Sequence, residues 1–297
     1  MSTSVTASGV CAIVGRPNVG KSTLLNAIIG EKVAITTRIP QTTRHAIRGI
    51  LTREDVQIVF VDTPGVHKPK TLLGSRLNDI AQASLSGVDV AVLVVDGAKG
   101  IGTGDAFMAE LVSGLGVPII GVLNKVDRIG KDAQLPAIAA LADLADFDEI
   151  VPVSARRGEQ VEVLTDLIAA RMPEGPALYP VEMVTDSEEA QRISEIVRDK
   201  AMVVMREEVP HSIAVTVEEM GPGRSENVTA IFASIYVERD SQKGMVIGRQ
   251  GAVLAQIGTD ARPELEALLG TKVYLDLRVK ISKEWQRDPK KLDKLGY

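Results

Sequence analysis

The chain has 297 residues, 45% hydrophobic and 25% charged, with a formal net charge of −5. These values fit folded protein in about two domains and exclude a molecule that attracts nucleic acid by bulk charge. One cysteine, Cys11, excludes an internal disulfide, and 3% aromatic residues argue against a sheet of exposed base-stacking rings.

The polar opening MSTSVTASG lacks a basic start followed by an apolar core, so no secretory leader is expected. The run VCAIVG then reads as a strand that buries Cys11. It ends in GRPNVGKST, where Gly15, Gly20, Lys21 and Ser22 match G-x-x-x-x-G-K-[ST]. The helix KSTLLNAIIG follows, which is the context the motif requires. In such a loop the backbone of Gly15, Arg16, Pro17, Asn18, Val19 and Gly20 wraps phosphate oxygens with its N–H groups, ahead of Lys21, Ser22 and Thr23. Lys21 would reach the β- and γ-phosphates, and Ser22 would ligate Mg²⁺.

Four more apolar runs follow: VQIVFVD, VDVAVLVVD, PIIGVLN and EIVPVS. Short, β-branched and nearly continuous, they suit strands buried on both faces. Helical candidates such as DAFMAELVSGL and LPAIAALADLA lie between them. The alternation predicts an open, doubly wound α/β sheet with ligands at the strand carboxyl ends. Three of the strands end in polar signatures. Asp62, Thr63, Pro64 and Gly65 form DTPG, placing Asp62 to hold Mg²⁺ through water and the Gly65 N–H to bond the γ-phosphate. Asn124, Lys125, Val126 and Asp127 form NKVD; the Asp127 carboxylate can accept from guanine N1–H and N2–H₂, a donor pair that adenine lacks. Ser154 and Ala155 open SAR, where the Ala155 N–H can reach guanine O6.

In this order, each at a strand end, these stretches resemble the P-loop GTPases over residues 8–172. The resemblance implies GTP bound with Mg²⁺ and hydrolysed to GDP. PQTTRH resembles the switch of the TrmE–Era–EngA group; it offers Thr42 and Thr43, and Thr43 is favoured as the Mg²⁺ ligand. Val66 follows DTPG where Ras-like proteins carry a water-orienting glutamine, which implies slow intrinsic turnover and external assistance. Asn18 resembles the asparagine that holds K⁺ in part of this group, so K⁺ activation is expected.

Near residue 172 the pattern changes. MPEGPALYP reads as a linker, here residues 173–186, after a nucleotide domain of residues 1–172. Residues 187–297 then run helix, strand, strand, helix, glycine loop, helix, strand, a smaller α+β unit. The loop is GMVIGRQG, which has neither the lysine nor the hydroxyl of a phosphate-gripping loop. Within it, Gly248, Arg249, Gln250 and Gly251 form G-x-x-G between two helices, and with the element order this resembles a type II KH domain, an RNA-binding module. From Lys243 to the chain end there are 11 Lys and Arg against 7 Asp and Glu, a local +4. Lys243, Lys280 and Lys283 are candidate phosphate contacts. The tail WQRDPKKLDKLGY reads either as more of that contact or as a helix pinned by Trp285.

A GTPase domain followed by one type II KH domain resembles the Era family. The resemblance implies binding near the 3′ end of 16S rRNA, action in small ribosomal subunit assembly, a cytoplasmic location and loose contact with the inner face of the membrane; no stable oligomer is expected. A TrmE-type protein would need a C-terminal cysteine and an EngA-type protein a second GKS, and neither is present. An RNA-binding protein with a purely structural GTP site is the rival from another class.

Overall fold

The computed structural model describes residues 4–34, 36, 44, 47–63, 69, 71–205 and 212–297. It divides into two compact units. The first takes in Met1–Lys68 and Leu77–Asp186, the second Pro69–Arg76 and Ser187–Tyr297.

The first unit is built on a six-stranded sheet, ordered β2-β3-β1-β4-β5-β6. The strands are β1 Ala7–Val14, β2 Ile47–Arg53, β3 Val56–Asp62, β4 Val90–Asp96, β5 Ile119–Asn124 and β6 Glu149–Val153. All pair in parallel except β2, which runs antiparallel to β3 at one edge. Every residue of β4 and β5 is buried, as expected of strands covered on both faces. Helices α1 Lys21–Ile29 and α5 Val161–Ala169 contribute to the core on one face. Helices α3 Thr103–Ser113 and α4 Lys131–Ala142 contribute to the other. Each fully buried Val, Leu or Ile here stabilises the fold by about 1.5–3 kcal/mol relative to exposure. Chain order reverses at β1, which lies between β3 and β4, so the carboxyl ends there open a crevice for ligand.

Two elements differ from the sequence reading. IRGILTR, to which the sequence reading assigned no element, is a strand, β2, and helix α2 (Leu72–Ala83) was not anticipated. The segment 173–186, expected as a linker, is seated along the sheet edge of its own unit. Ser8 Oγ donates to the Pro176 carbonyl at 2.6 Å, and the Ile50 N–H donates to Val184 O at 2.9 Å. Gln57, fully buried on β3, is the hub. Its Oε1 accepts from the Leu178 and Tyr179 N–H groups at 2.7 and 2.8 Å. Its Nε2 donates to Tyr179 O at 2.9 Å and Thr52 Oγ1 at 3.0 Å. Near the end of the strap, Arg48 pairs with Asp186 at 2.9 Å and Thr185 Oγ1 donates to Arg48 O at 2.7 Å.

The second unit has a three-stranded sheet, β7 Ala214–Pro222, β8 Val228–Val237 and β9 Lys272–Ile281, in sequential order. β7 and β8 are antiparallel, whereas β8 and β9 are parallel. A parallel pair needs a crossover, supplied by α7 Asp240–Ile247 and α8 Ala252–Leu269. With α6 Glu189–Val204 these helices enclose a core that includes Ile193, Val197, Ile231, Ile235, Ile257 and Leu265. The tail is packed. Trp285 is fully buried, stacks on Tyr297 with centroids 5.6 Å apart, and donates from Nε1 to Ser212 O at 3.0 Å. The final helix, α9 (Pro289–Lys294), is capped by Asp288, which accepts from Lys290 N and Lys291 N.

Candidate functional site

The carboxyl ends of β1, β3, β5 and β6 bring three of the four sequence signatures, and part of DTPG, together. The loop after β1 leads into α1 through Gly20, whose φ is 106° and whose place a Cβ could not share: it would lie 2.3 Å from Asn124 Nδ2. The N-cap position of α1 is Gly20, which has no side chain to cap the positive end of the helix. Lys21 is 8% exposed, and its Nζ donates to the carbonyls of Gly15 at 3.0 Å and Arg16 at 3.3 Å. Burial pulls its pKa below the usual lysine value, an effect that Asp62 partly offsets. Ser22 Oγ donates to Asp62 Oδ2 at 2.6 Å, and Asp62 is fully buried. A hydroxyl and a carboxylate so placed are the hard oxygen donors that Mg²⁺ takes, one or two from protein and the rest from phosphate and water. Among the described residues no cluster of three or more His, Cys, Asp or Glu side chains could hold a metal by itself.

Asn124 ties the signatures together. Its Nδ2 donates to Val19 O at 2.9 Å, while its Oδ1 accepts from Lys125 N at 2.8 Å and Ala155 N at 3.1 Å. The Ala155 N–H expected to face a base is therefore already directed at Asn124. Lys125 sits at φ 66° and bridges Asn18 O at 2.5 Å and Asp96 Oδ2 at 2.6 Å. Asp127 Oδ1 accepts from Ser154 Oγ at 2.8 Å, and Val126 is buried. Around these residues lies a cleft of about 630 Å³, lined by Asn18, Gly20, Thr23, Asn124, Lys125, Asp127 and Ala155. Its size suits a cofactor-sized ligand. Thr36, Lys99, Arg128 and Arg156 also line it and were missed in the sequence. Asp96 was missed too, although it ends β4 as Asp62 ends β3. Arg16 does not line the cleft, and the buried Thr63 donates to Ile13 O at 3.3 Å. Thr42, Thr43, Pro64, Gly65 and Val66 lie outside the described residues.

In the second unit, α7 ends at Gly248, and a single turn over Arg249–Gly251 leads into α8. Gly248 has φ 72°, and a Cβ there would fall 2.4 Å from Val253 Cγ2, so this tight junction requires glycine. Arg249 and Gln250 stand exposed at the tip, and Lys243 is half-buried on α7. The other two lysine candidates differ. Lys280, on β9, is paired with Glu218 at 3.0 Å and lies 5.8 Å above the Tyr236 ring. The bonds from Lys280 and Tyr236 hold the Glu218 carboxyl down at about 2. Lys283 is exposed and follows β9.

The comparisons add identity to this geometry. Residues 10–125 match a family model described as a 50S ribosome-binding GTPase, and residues 208–286 match a KH domain. A GTPase Era from Mycobacterium sp. (strain JLS) is 50% identical over 294 residues, covering 98% of each chain. The chain belongs to the Era family of GTPases. Two solved Era structures share the fold. That of an Aquifex aeolicus Era point variant bound to GDP.AlF4⁻ has a TM-score of 0.94 at 41% identity and covers 98% of this chain and 99% of that one. The second, Era in complex with MgGDPNP and nucleotides 1506–1542 of 16S ribosomal RNA, has a TM-score of 0.95 at 40% identity with the same coverage. The Era-family resemblance read from the motifs and the doubly wound plus KH fold class are thus borne out. Among the described residues no helix is long and apolar enough to cross a membrane.

Proposed function

We propose that this GTPase acts in assembly of the small ribosomal subunit, binding RNA near the 3′ end of 16S rRNA with its second unit under control of the nucleotide in its first. The observation that carries this reading is the pairing, in one chain, of a phosphate-loop cleft with an exposed G-x-x-G tip. The 16S rRNA segment held by an Era of the same fold supports the choice of RNA.

In the nucleotide cleft, the N–H groups at the start of α1 receive the phosphates. Lys21 exchanges its two carbonyl partners for β- and γ-phosphate oxygens, and charge developing during transfer is stabilised by that buried ammonium. Ser22 and Asp62 would hold Mg²⁺, with Thr43 as a further ligand; when bound, the ion neutralises charge on the phosphates. Asp127, oriented by Ser154, selects guanine through its two donors. With Val66 unable to orient water, intrinsic turnover is slow. We extend the reading to K⁺ as an activator at Asn18; turnover in KCl should exceed that in NaCl at equal ionic strength, and equal rates would remove this part. The protein is assigned to the cytoplasm, without a stable oligomer.

At the RNA loop, Arg249→Asp/Gln250→Asp should weaken binding of a single strand from the 3′ end of 16S rRNA by about 100-fold, since two anions replace two phosphate-facing polar groups. Lys280→Ala should change the salt slope of log K by much less than about 1, because Glu218 already neutralises that charge. Filter binding across a salt series measures both. Full affinity in the double variant would refute the loop as the RNA contact.

A further inference from the structure

Arg16 sits near the start of the phosphate loop, yet its side chain turns to helix α3. Its Nε donates to Asp105 Oδ1 and its Nη2 meets Asp105 Oδ2, each at 2.8 Å, a two-bond fork. Nη2 also donates to Gly100 O at 3.3 Å. Asp105 is 0% exposed, and its Oδ2 accepts the Gly102 N–H at 2.9 Å, so both oxygens are committed. Two glycines leave room for the arginine. A Cβ on Gly104 would stand 2.6 Å from Arg16 Cδ, and one on Gly102 would stand 3.2 Å from Nη1. The guanidinium is thus fitted to the first turn of α3 through a charge pair, a carbonyl and two close contacts.

The main chain at this point is part of the nucleotide site. The carbonyls of Gly15 and Arg16 are the groups that hold Lys21. Fixing the Arg16 side chain to α3 fixes the path of those carbonyls, and with it the curve of the loop. We propose that Arg16 and Asp105 are positioning residues, which hold the phosphate loop in its receiving form and so set the rate of nucleotide release. The start of α3 becomes a handle on that rate: whatever displaces it loosens the loop without touching nucleotide. Neither side chain lines the cleft, which separates this role from direct binding.

The inference rests on the assignment of the loop to phosphate, and the test separates the two. Dissociation of a fluorescent GDP analogue is followed in the full chain after excess GDP is added, together with thermal melting and GTPase kinetics. Asp105→Asn should release GDP about ten- to a hundredfold faster, the scale of losses from misplaced binding groups. Arg16→Lys, which keeps the charge and loses the fork, should fall between it and wild type. Gly104→Ala, which keeps both charges and crowds Arg16, should also speed release. In each variant KM for GTP should rise by more than kcat falls. Should Asp105→Asn fail to fold, Arg16→Lys and Gly104→Ala carry the test. Variants that melt lower but release GDP at the wild-type rate would overturn the positioning role. A wild-type chain that binds no GDP analogue would instead overturn the phosphate-loop assignment itself.

Discussion

Lys21→Ala should abolish measurable GTP hydrolysis while leaving the nucleotide-free fold nearly as stable as wild type. Removing one charge-stabilising donor from such a site costs about 10²–10³ in rate, and here the ground-state grip on the phosphates goes too. The folded protein without nucleotide loses little, because this ammonium is buried at a desolvation cost. Its two carbonyl bonds only partly offset that cost. The sign of the pH dependence follows. The folded pKa lies below the unfolded value of 10.5, so between the two the unfolded chain holds more protons at this group. Stability of the free protein therefore rises with pH across the window between the lowered folded value and 10.5, and in Lys21→Ala this rise disappears. A thermal shift on adding GTP and Mg²⁺ should appear in wild type and vanish in the variant. An unchanged shift would mean that Lys21 does not contact nucleotide, whatever the kinetics show.

The second large effect is expected at Gln57. Gln57→Leu conserves volume approximately but strips partners from two N–H groups and one carbonyl of the strap. The cost is about 2–3 kcal/mol, less than three fully buried losses because Leu178 is exposed and water can reach the strap. The first unfolding transition should fall by about 5–10 °C. Amide exchange should accelerate at Leu178 and Tyr179 before it does in β3, since the strap is held at its middle by this one side chain. We also expect less difference in RNA affinity between the GTP and GDP states. The strap is bonded to β2 through Ile50, Arg48 and Thr185, and β2 directly follows the threonine-rich segment that includes Thr42 and Thr43. We therefore expect a change in that segment to reach residue 186 through these bonds within the first unit. Exchange at 178 and 179 matching wild type would show that Gln57 does not hold the strap.

The chain's own letters disclosed the candidate site better than its supports. Lys21, Ser22, Asp62 and Asn124 were legible because each closes an apolar strand or opens a helix, and Asp127 because it lies just past the end of β5; burial on both faces makes those runs unbroken. β2 was obscured by Gly49, which weakens a strand signal. In the structure it lets α1 approach, since a Cβ there would lie 2.8 Å from Leu25 Cδ1. Helix α2 carries Gly74, Ser75, Asn78 and Asp79, poor helix formers, yet Leu73, Leu77 and Ala81 bury one stripe. That spacing was readable. The strap and the Arg16–Asp105 pair were not. MPEGPALYP has linker composition, and partners more than a hundred residues earlier, Ser8 and Gln57, make it a docked segment. Asp105 looks like an ordinary first-turn acid of a helix until Arg16, 89 residues away, is found upon it. Local pattern reports how a segment prefers to fold; partners brought in by topology lie beyond its reach.

In the proposed function, nucleotide state in the first unit governs RNA binding by the second. The most direct test is the affinity of a short strand from the 3′ end of 16S rRNA with a non-hydrolysable GTP analogue and with GDP, at one salt concentration. By linkage, RNA must then favour the GTP state by the same factor that GTP favours RNA. Tighter binding is expected with the GTP analogue, and it should be lost in Arg249→Asp/Gln250→Asp. Equal affinity in both nucleotide states would contradict the claim.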